Sequence, residues 1–172
     1  MIEKENREAE RILKARILED EQRAKREQIR KIQKKKHQQD ARLKMLETKV
    51  IIKNNQILVP VHLQNGRKKM ETLFLLDTGA TSIVLFKTVA LDLGISGGRK
   101  SKTLVVGGKL IATRLSRLDA INVGPITMNN ASVLIIDQKG PKVDFRGLLG
   151  MNFLSQVKYT IDYANQVIRW QP

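Results

Sequence analysis

Apolar side chains follow two different rhythms along this chain. From Ile57 onward they alternate: Ile57, Val59, Val61 and Leu63 occupy every second position, and Met70, Thr72, Phe74 and Leu76 resume the period beyond Asn65-Gly66. A period of two turns one face of a strand toward a core, and Asn-Gly suits a two-residue hairpin turn. The same pattern predicts a hairpin within Lys102–Val123 with its tip at Gly107-Gly108, and a strand over Ser132–Ile136. A last hairpin has Val157–Tyr163 and Val167–Trp170 flanking Ala164-Asn165-Gln166. Only Lys87–Leu93, closed by Gly94, and Met151–Leu154 read as helical. Strands this frequent, separated by regular turn residues, predict an all-β barrel or sandwich.

Residues 1–49 have no such alternation. They carry 16 basic and 10 acidic residues and no Gly, Pro or aromatic residue. Good helix formers dominate, and Glu3/Arg7, Glu10/Lys14, Glu21/Lys25 and Glu27/Lys31 stand in the favourable i,i+4 order. A long exposed helix is predicted. Its apolar residues (Ile12, Leu13, Ile17, Leu18, Ala24, Ile29, Ile32, Ala41, Met45 and Leu46) hold no single heptad register, which disfavours a strict two-stranded coiled coil. The run Lys34-Lys35-Lys36 raises nucleic-acid binding as a function, but acidic residues interleave the basic ones and no aromatic is there to stack on bases. The expected organisation is a charged helical arm or linker at 1–49 and a folded domain at 50–172.

Composition narrows the chemistry. The 172 residues carry a formal net charge of +15 and no Cys, which excludes disulfides, thiolate metal sites and a thiol nucleophile. The two histidines, His37 and His62, stand far apart, so no metal site is expected. No stretch approaches the ~18 consecutive apolar residues of a membrane span, and the opening MIEKENREAE is too polar for a signal peptide. The chain as given is expected to be soluble, either cytoplasmic or tethered through an anchor outside this sequence. Gly94-Ile95-Ser96-Gly97-Gly98 lacks the Gly-Lys-Ser/Thr ending of a phosphate loop.

One segment carries chemistry. Leu75-Leu76 runs into Asp77-Thr78-Gly79-Ala80, an aspartate at the end of an apolar strand followed by a tight turn. A strand end is a rigid place to hold a carboxylate, and a glycine lets the backbone approach it and donate an N–H. Taken alone, the tripeptide also fits an ordinary Asx-type turn. Gly147-Leu148-Leu149-Gly150 then leads into the short helical segment, and Val106-Gly107-Gly108 tips a hairpin between the two.

In this order the three segments resemble the retropepsin-like aspartic proteases, and the wording from Leu148 to Leu154 is most similar to the bacterial single-lobe members. The resemblance covers about residues 50–172. It implies an all-β, single-lobe acid protease barrel with one short helix, here preceded by the long α-helix. It also implies that Asp77 is catalytic, supported by Thr78, Gly79 and Ala80. Val106, Gly107 and Gly108 would form a flap, and Leu148, Leu149 and Gly150 a supporting loop. Ile83, Val105 and Leu149 would favour apolar substrate side chains. Such chemistry needs no metal, cofactor or covalent intermediate, but it needs two carboxylates on one water. None of Asp92, Asp119, Asp137, Asp144 and Asp162 is followed by Thr-Gly or Ser-Gly. The second aspartate is therefore expected from another copy of the chain, in an isologous C2 homodimer.

The expected function is an aspartic endopeptidase acting on extended peptide segments; the alternative is a catalytically silent dimerisation or peptide-binding module of the same fold. Ala80 has no hydroxyl to offer the outer carboxylate oxygen. Peptidase activity is accordingly expected at mildly acidic pH, and an optimum far below about pH 4 in a pH–rate profile would contradict this.

Overall fold

The computed structural model describes residues 2–105 and 107–171, and the chain divides into two units, Met1–Met45 and Leu46–Pro172. The first unit is a single helix, α1 (Ile2–Met45), 44 residues long and thus about 66 Å at 1.5 Å per residue. Every described side chain on it is exposed. With no buried face among its described side chains, the helix draws its support from intrinsic propensity and from pairs such as Arg23–Glu27, 4.0 Å apart. No described helix is long and apolar enough to cross a membrane.

The second unit runs β1 (Glu47–Lys49), β2 (Ile51–Lys53), β3 (Gln56–Asn65), β4 (Lys68–Leu76), β5 (Ile83–Phe86), α2 (Lys87–Asp92), β6 (Arg99–Val105) and β7 (Lys109–Val123). It continues with β8 (Ile126–Ile136), β9 (Gly147–Leu149), α3 (Met151–Leu154), β10 (Lys158–Asp162) and β11 (Val167–Gln171). Eight strands form one sheet in the order β2-β3-β4-β9-β5-β8-β7-β6, and a further pairing of β3 with β7 closes it into a barrel. The short β9 lies between β4, to which it is parallel, and β5, to which it is antiparallel. Strands β1, β11 and β10 form a smaller sheet. The alternating residues fill the interior: Val59, Val61, Leu63 and Phe74 are fully buried with Leu85, Leu118, Ile121 and Phe153. Trp170 closes this core, packing edge-on to Phe153 with ring centres 6.4 Å apart.

Two boundaries differ from the sequence expectation. The helix ends at Met45, not at residue 49, and Glu47–Lys49 pairs with β11. Tertiary contacts override the helical composition there. The buried Thr48 hydroxyl accepts the Trp170 indole N–H at 2.8 Å, and the Leu46 carbonyl accepts the Trp170 backbone N–H at 2.8 Å. In the hairpin of β3 and β4 Asn65 pairs with Lys68, so the turn is Gly66-Arg67, one residue later than the Asn-Gly reading. Gly66 takes the positive φ (57°) that this turn requires.

The small sheet is pinned by an ion-pair cluster. Asp162 accepts the Asn165 side-chain amide at 2.8 Å, the Asn165 backbone N–H at 2.9 Å and the Arg169 guanidinium at 2.7 Å. Arg169 also reaches Glu47 on β1 at 2.9 Å. The Asn165 hydrogen bonds, and then Arg169, hold the Asp162 pKa from 3.8 down to about 2. A depressed carboxylate pKa stabilises the fold above its unfolded value, and that contribution is lost as pH falls through the folded one. Asp162→Asn is therefore expected to be less stable than the wild type at neutral pH, with the difference shrinking as pH falls from about 4 to about 2. Denaturant titrations across that range check this; a difference independent of pH would contradict it.

Candidate active site

Asp77 follows the last residue of β4, and its backbone N–H continues the ladder to β9 by donating to the Leu149 carbonyl at 3.1 Å. The Gly79 N–H donates to Asp77 Oδ1 at 2.9 Å, and the Ala80 N–H donates to the Asp77 carbonyl at 3.2 Å. The carboxylate is thus fixed by its own turn. Asp77 and Ala80 are half-buried, and Thr78 and Gly79 are exposed.

The rest of the turn hangs from α3. The Met151 N–H donates to the Ala80 carbonyl at 2.7 Å, and the Asn152 N–H to the Thr81 carbonyl at 3.0 Å. Such close approach explains Gly150: a Cβ there would run into the Ser82 carbonyl and come within 2.9 Å of the Ala80 carbonyl oxygen. Gly147 is constrained in the same way, with the Val84 carbonyl and the Phe74 ring where a Cβ would lie. The supporting segment Leu148-Leu149-Gly150 is therefore in direct main-chain contact with the Asp77 turn.

Asn152 is the residue that the sequence reading missed. Its Oδ1 accepts the Ile83 N–H at 2.8 Å, and its Nδ2 donates to the Ser132 carbonyl at 2.9 Å. One amide thus joins the start of β5, the middle of β8 and the turn above them. Its partners lie 69 and 20 residues away, so local pattern carried no signal for this role.

Most other carboxylates of the barrel have partners of their own. Asp92 pairs with Arg146, Asp144 with Lys53, Asp162 and Glu47 with Arg169, and Glu71 with His62. Asp119 accepts the Gly66 N–H, and Asp137 lines a groove beside α2. Among the described residues no group of three or more His, Cys, Asp or Glu forms a metal-binding cluster.

The hairpin of β6 and β7 has Gly107 and Gly108 at its tip with φ of 91° and 76°, values that favour glycine. Val106 lies outside the described residues, as does the side chain of Val105. Just below the tip Leu104 pairs with Leu110, and the two are 65% and 59% exposed. The expected apolar contacts need correction. Ile83 and Leu149 are fully buried and belong to the core, not to a cleft surface, whereas Leu104 and Leu110 are exposed.

Residues 59–153 match the sequence model of a family described as aspartyl protease. Among solved structures the chain is similar to a retropepsin-like aspartic protease from Rickettsia conorii, with 20% identity and a TM-score of 0.53 over 72% of this chain and 89% of that one. This likeness is one of fold. Comparison with curated proteins gives no match.

The contacts of the turn yield a stability test. Asn152→Ala would leave the Ile83 N–H and the Ser132 carbonyl without their partner, and is expected to lower the unfolding free energy by about 1–3 kcal/mol. Gly150→Ala is expected to be more damaging, because main-chain carbonyls must move. Thermal unfolding measures both, and a Gly150→Ala variant as stable as the wild type would contradict the packing described.

Proposed function

The chain belongs to the aspartyl protease family, and on that premise we propose that it is an endopeptidase whose active site forms between the Asp77 carboxyl groups of two copies. The observation that carries this reading is the Asp77 carboxylate itself, set at a strand end and held by the Gly79 N–H, while Asp92, Asp144 and Asp162 serve other partners. A single copy offers one Asp-Thr-Gly aspartate where the chemistry needs two, and the turn leaves the exposed Thr78 and half-buried Asp77 accessible to a symmetry mate.

In the proposed mechanism the two carboxyl groups share one proton, since two carboxylates in contact do not readily both ionise. The ionised one takes a proton from a bound water as its oxygen attacks the peptide carbonyl carbon. The protonated one hydrogen-bonds the carbonyl oxygen and stabilises the tetrahedral intermediate. Collapse breaks the C–N bond, and the leaving nitrogen receives a proton from the dyad. Thr78 of each copy braces the other. The β6–β7 hairpin closes over an extended peptide and presents Leu104 and Leu110 to its apolar side chains. Catalysis belongs to the second unit, Leu46–Pro172, in this reading, and the helix α1 serves as an arm or linker.

Asp77→Asn is expected to abolish cleavage of a mixed peptide library while leaving the circular dichroism spectrum and the solution mass unchanged. It should also lose tight binding of a transition-state-like aspartic protease inhibitor. Turnover retained by the purified variant would refute the proposal.

A further inference from the structure

A groove of about 850 Å³ lies between α2 and the β6–β7 hairpin, lined by none of the residues of the Asp77 turn or the supporting loop. Its floor is apolar: Ala90, Ile95 and Ile135 are buried there. Its rim is cationic, with Lys87 on α2, Lys100 and Lys102 on β6 and Arg114 on β7. Asp137 is its sole carboxylate.

Three cations elsewhere in the barrel have acidic partners, whereas the four on this rim share one groove and have none among the described residues. Arg169, Arg146 and Lys53 are neutralised by Asp162, Asp92 and Asp144. Among the described residues no ion pair engages Lys87, Lys100, Lys102 or Arg114. Nor does the sequence supply local acids, for between Leu93 and Leu118 there is no Asp or Glu at all. Four like charges around one groove repel each other, and an anionic occupant relieves that repulsion.

We propose that this groove docks an acidic peptide segment that also carries an apolar side chain. The charge of the rim selects carboxylates, and the apolar floor takes a side chain between them. β6 is the terminal strand of its sheet, so its outer edge offers unpaired main-chain groups to an extended chain. The volume and apolar floor exceed what a phosphate ion fills, and no aromatic residue lines the groove to stack on nucleobases. The groove is walled by the hairpin on one side and by α2 and the end of β8 on the other. An occupant would therefore bridge the hairpin and the body of the barrel.

The test is fluorescence anisotropy with full-length Asp77→Asn protein, which separates docking from cleavage. The probe is a labelled ten-residue peptide alternating Glu and Leu. Lys100→Glu/Lys102→Glu, and separately Lys87→Glu on a different element, are expected to weaken binding by at least about tenfold. Arg67→Glu/Lys69→Glu, which changes the same charge at another hairpin, is expected to leave it nearly unchanged. Circular dichroism establishes that each variant is folded. Equal loss from both double variants would reduce the effect to net charge and overturn the proposal. So would equal binding of a Lys-for-Glu peptide, or tighter binding of a single-stranded oligonucleotide of equal charge. None of these results bears on whether Asp77 is catalytic.

Discussion

The Asp77 turn is suspended from the segment Leu149–Asn152, and the remaining features of the molecule are arranged around that suspension. Leu149, Met151 and Asn152 each bond a main-chain group within the stretch from Asp77 to Thr81, and Gly150 has no room for a side chain because the carbonyls of Ala80 and Ser82 occupy it. In the proposed dyad the carboxylate meets its copy on one water and has little tolerance for displacement, so on that reading rigidity at this point matters more than elsewhere. The barrel supplies it. Placing β9 between β4 and β5 sets the support under the turn, and the buried Phe74, Leu85 and Phe153 leave neither strand free to shift.

Around this rigid centre the hairpin of β6 and β7 has the opposite character. Its tip is built on two glycines at positive φ, its apolar pair Leu104–Leu110 stands in solvent, and Lys100, Lys102 and Arg114 join none of the ion pairs among the described residues. Some cations of the barrel body pair with carboxylates, as Arg169 does with Asp162 and Glu47, whereas Lys100, Lys102 and Arg114 of the hairpin gather around one groove. An exposed apolar pair beside a cationic groove is the surface that the proposed peptide contacts use. The arm solves a different problem. With every described side chain exposed, α1 relies on helix-forming composition rather than on burial.

Legibility in the sequence followed the range of the interactions. Strands with one buried face were readable, because Ile57, Val59, Val61 and Leu63 alternate as β3 does. The short β5 was not: Ile83, Val84 and Leu85 are all buried, and a short run of apolar residues has no period that separates strand from helix. β1 was hidden because Glu47-Thr48-Lys49 continues the polar composition of the arm, and only Trp170 and Arg169, far along the chain, make it a strand. The hairpin of β2 and β3 turns through Asn54 and Asn55, both at positive φ, a signal that was present in the sequence but went unread. At the candidate site Asp77 and Gly150 stood out as motif residues. Asn152 did not, because its amide acts on two main-chain groups brought to it only by the fold.

The most direct measurement of a shared site is subunit mixing. Wild-type protein and the Asp77→Asn variant would be combined at constant total concentration, allowed to exchange, and assayed for peptide cleavage. If each site takes one Asp77 from each of two copies, activity falls with the square of the wild-type fraction, to about a quarter at equal mixing. Activity directly proportional to the wild-type fraction would mean that each chain works alone, and would contradict a catalytic dyad built on a two-fold axis.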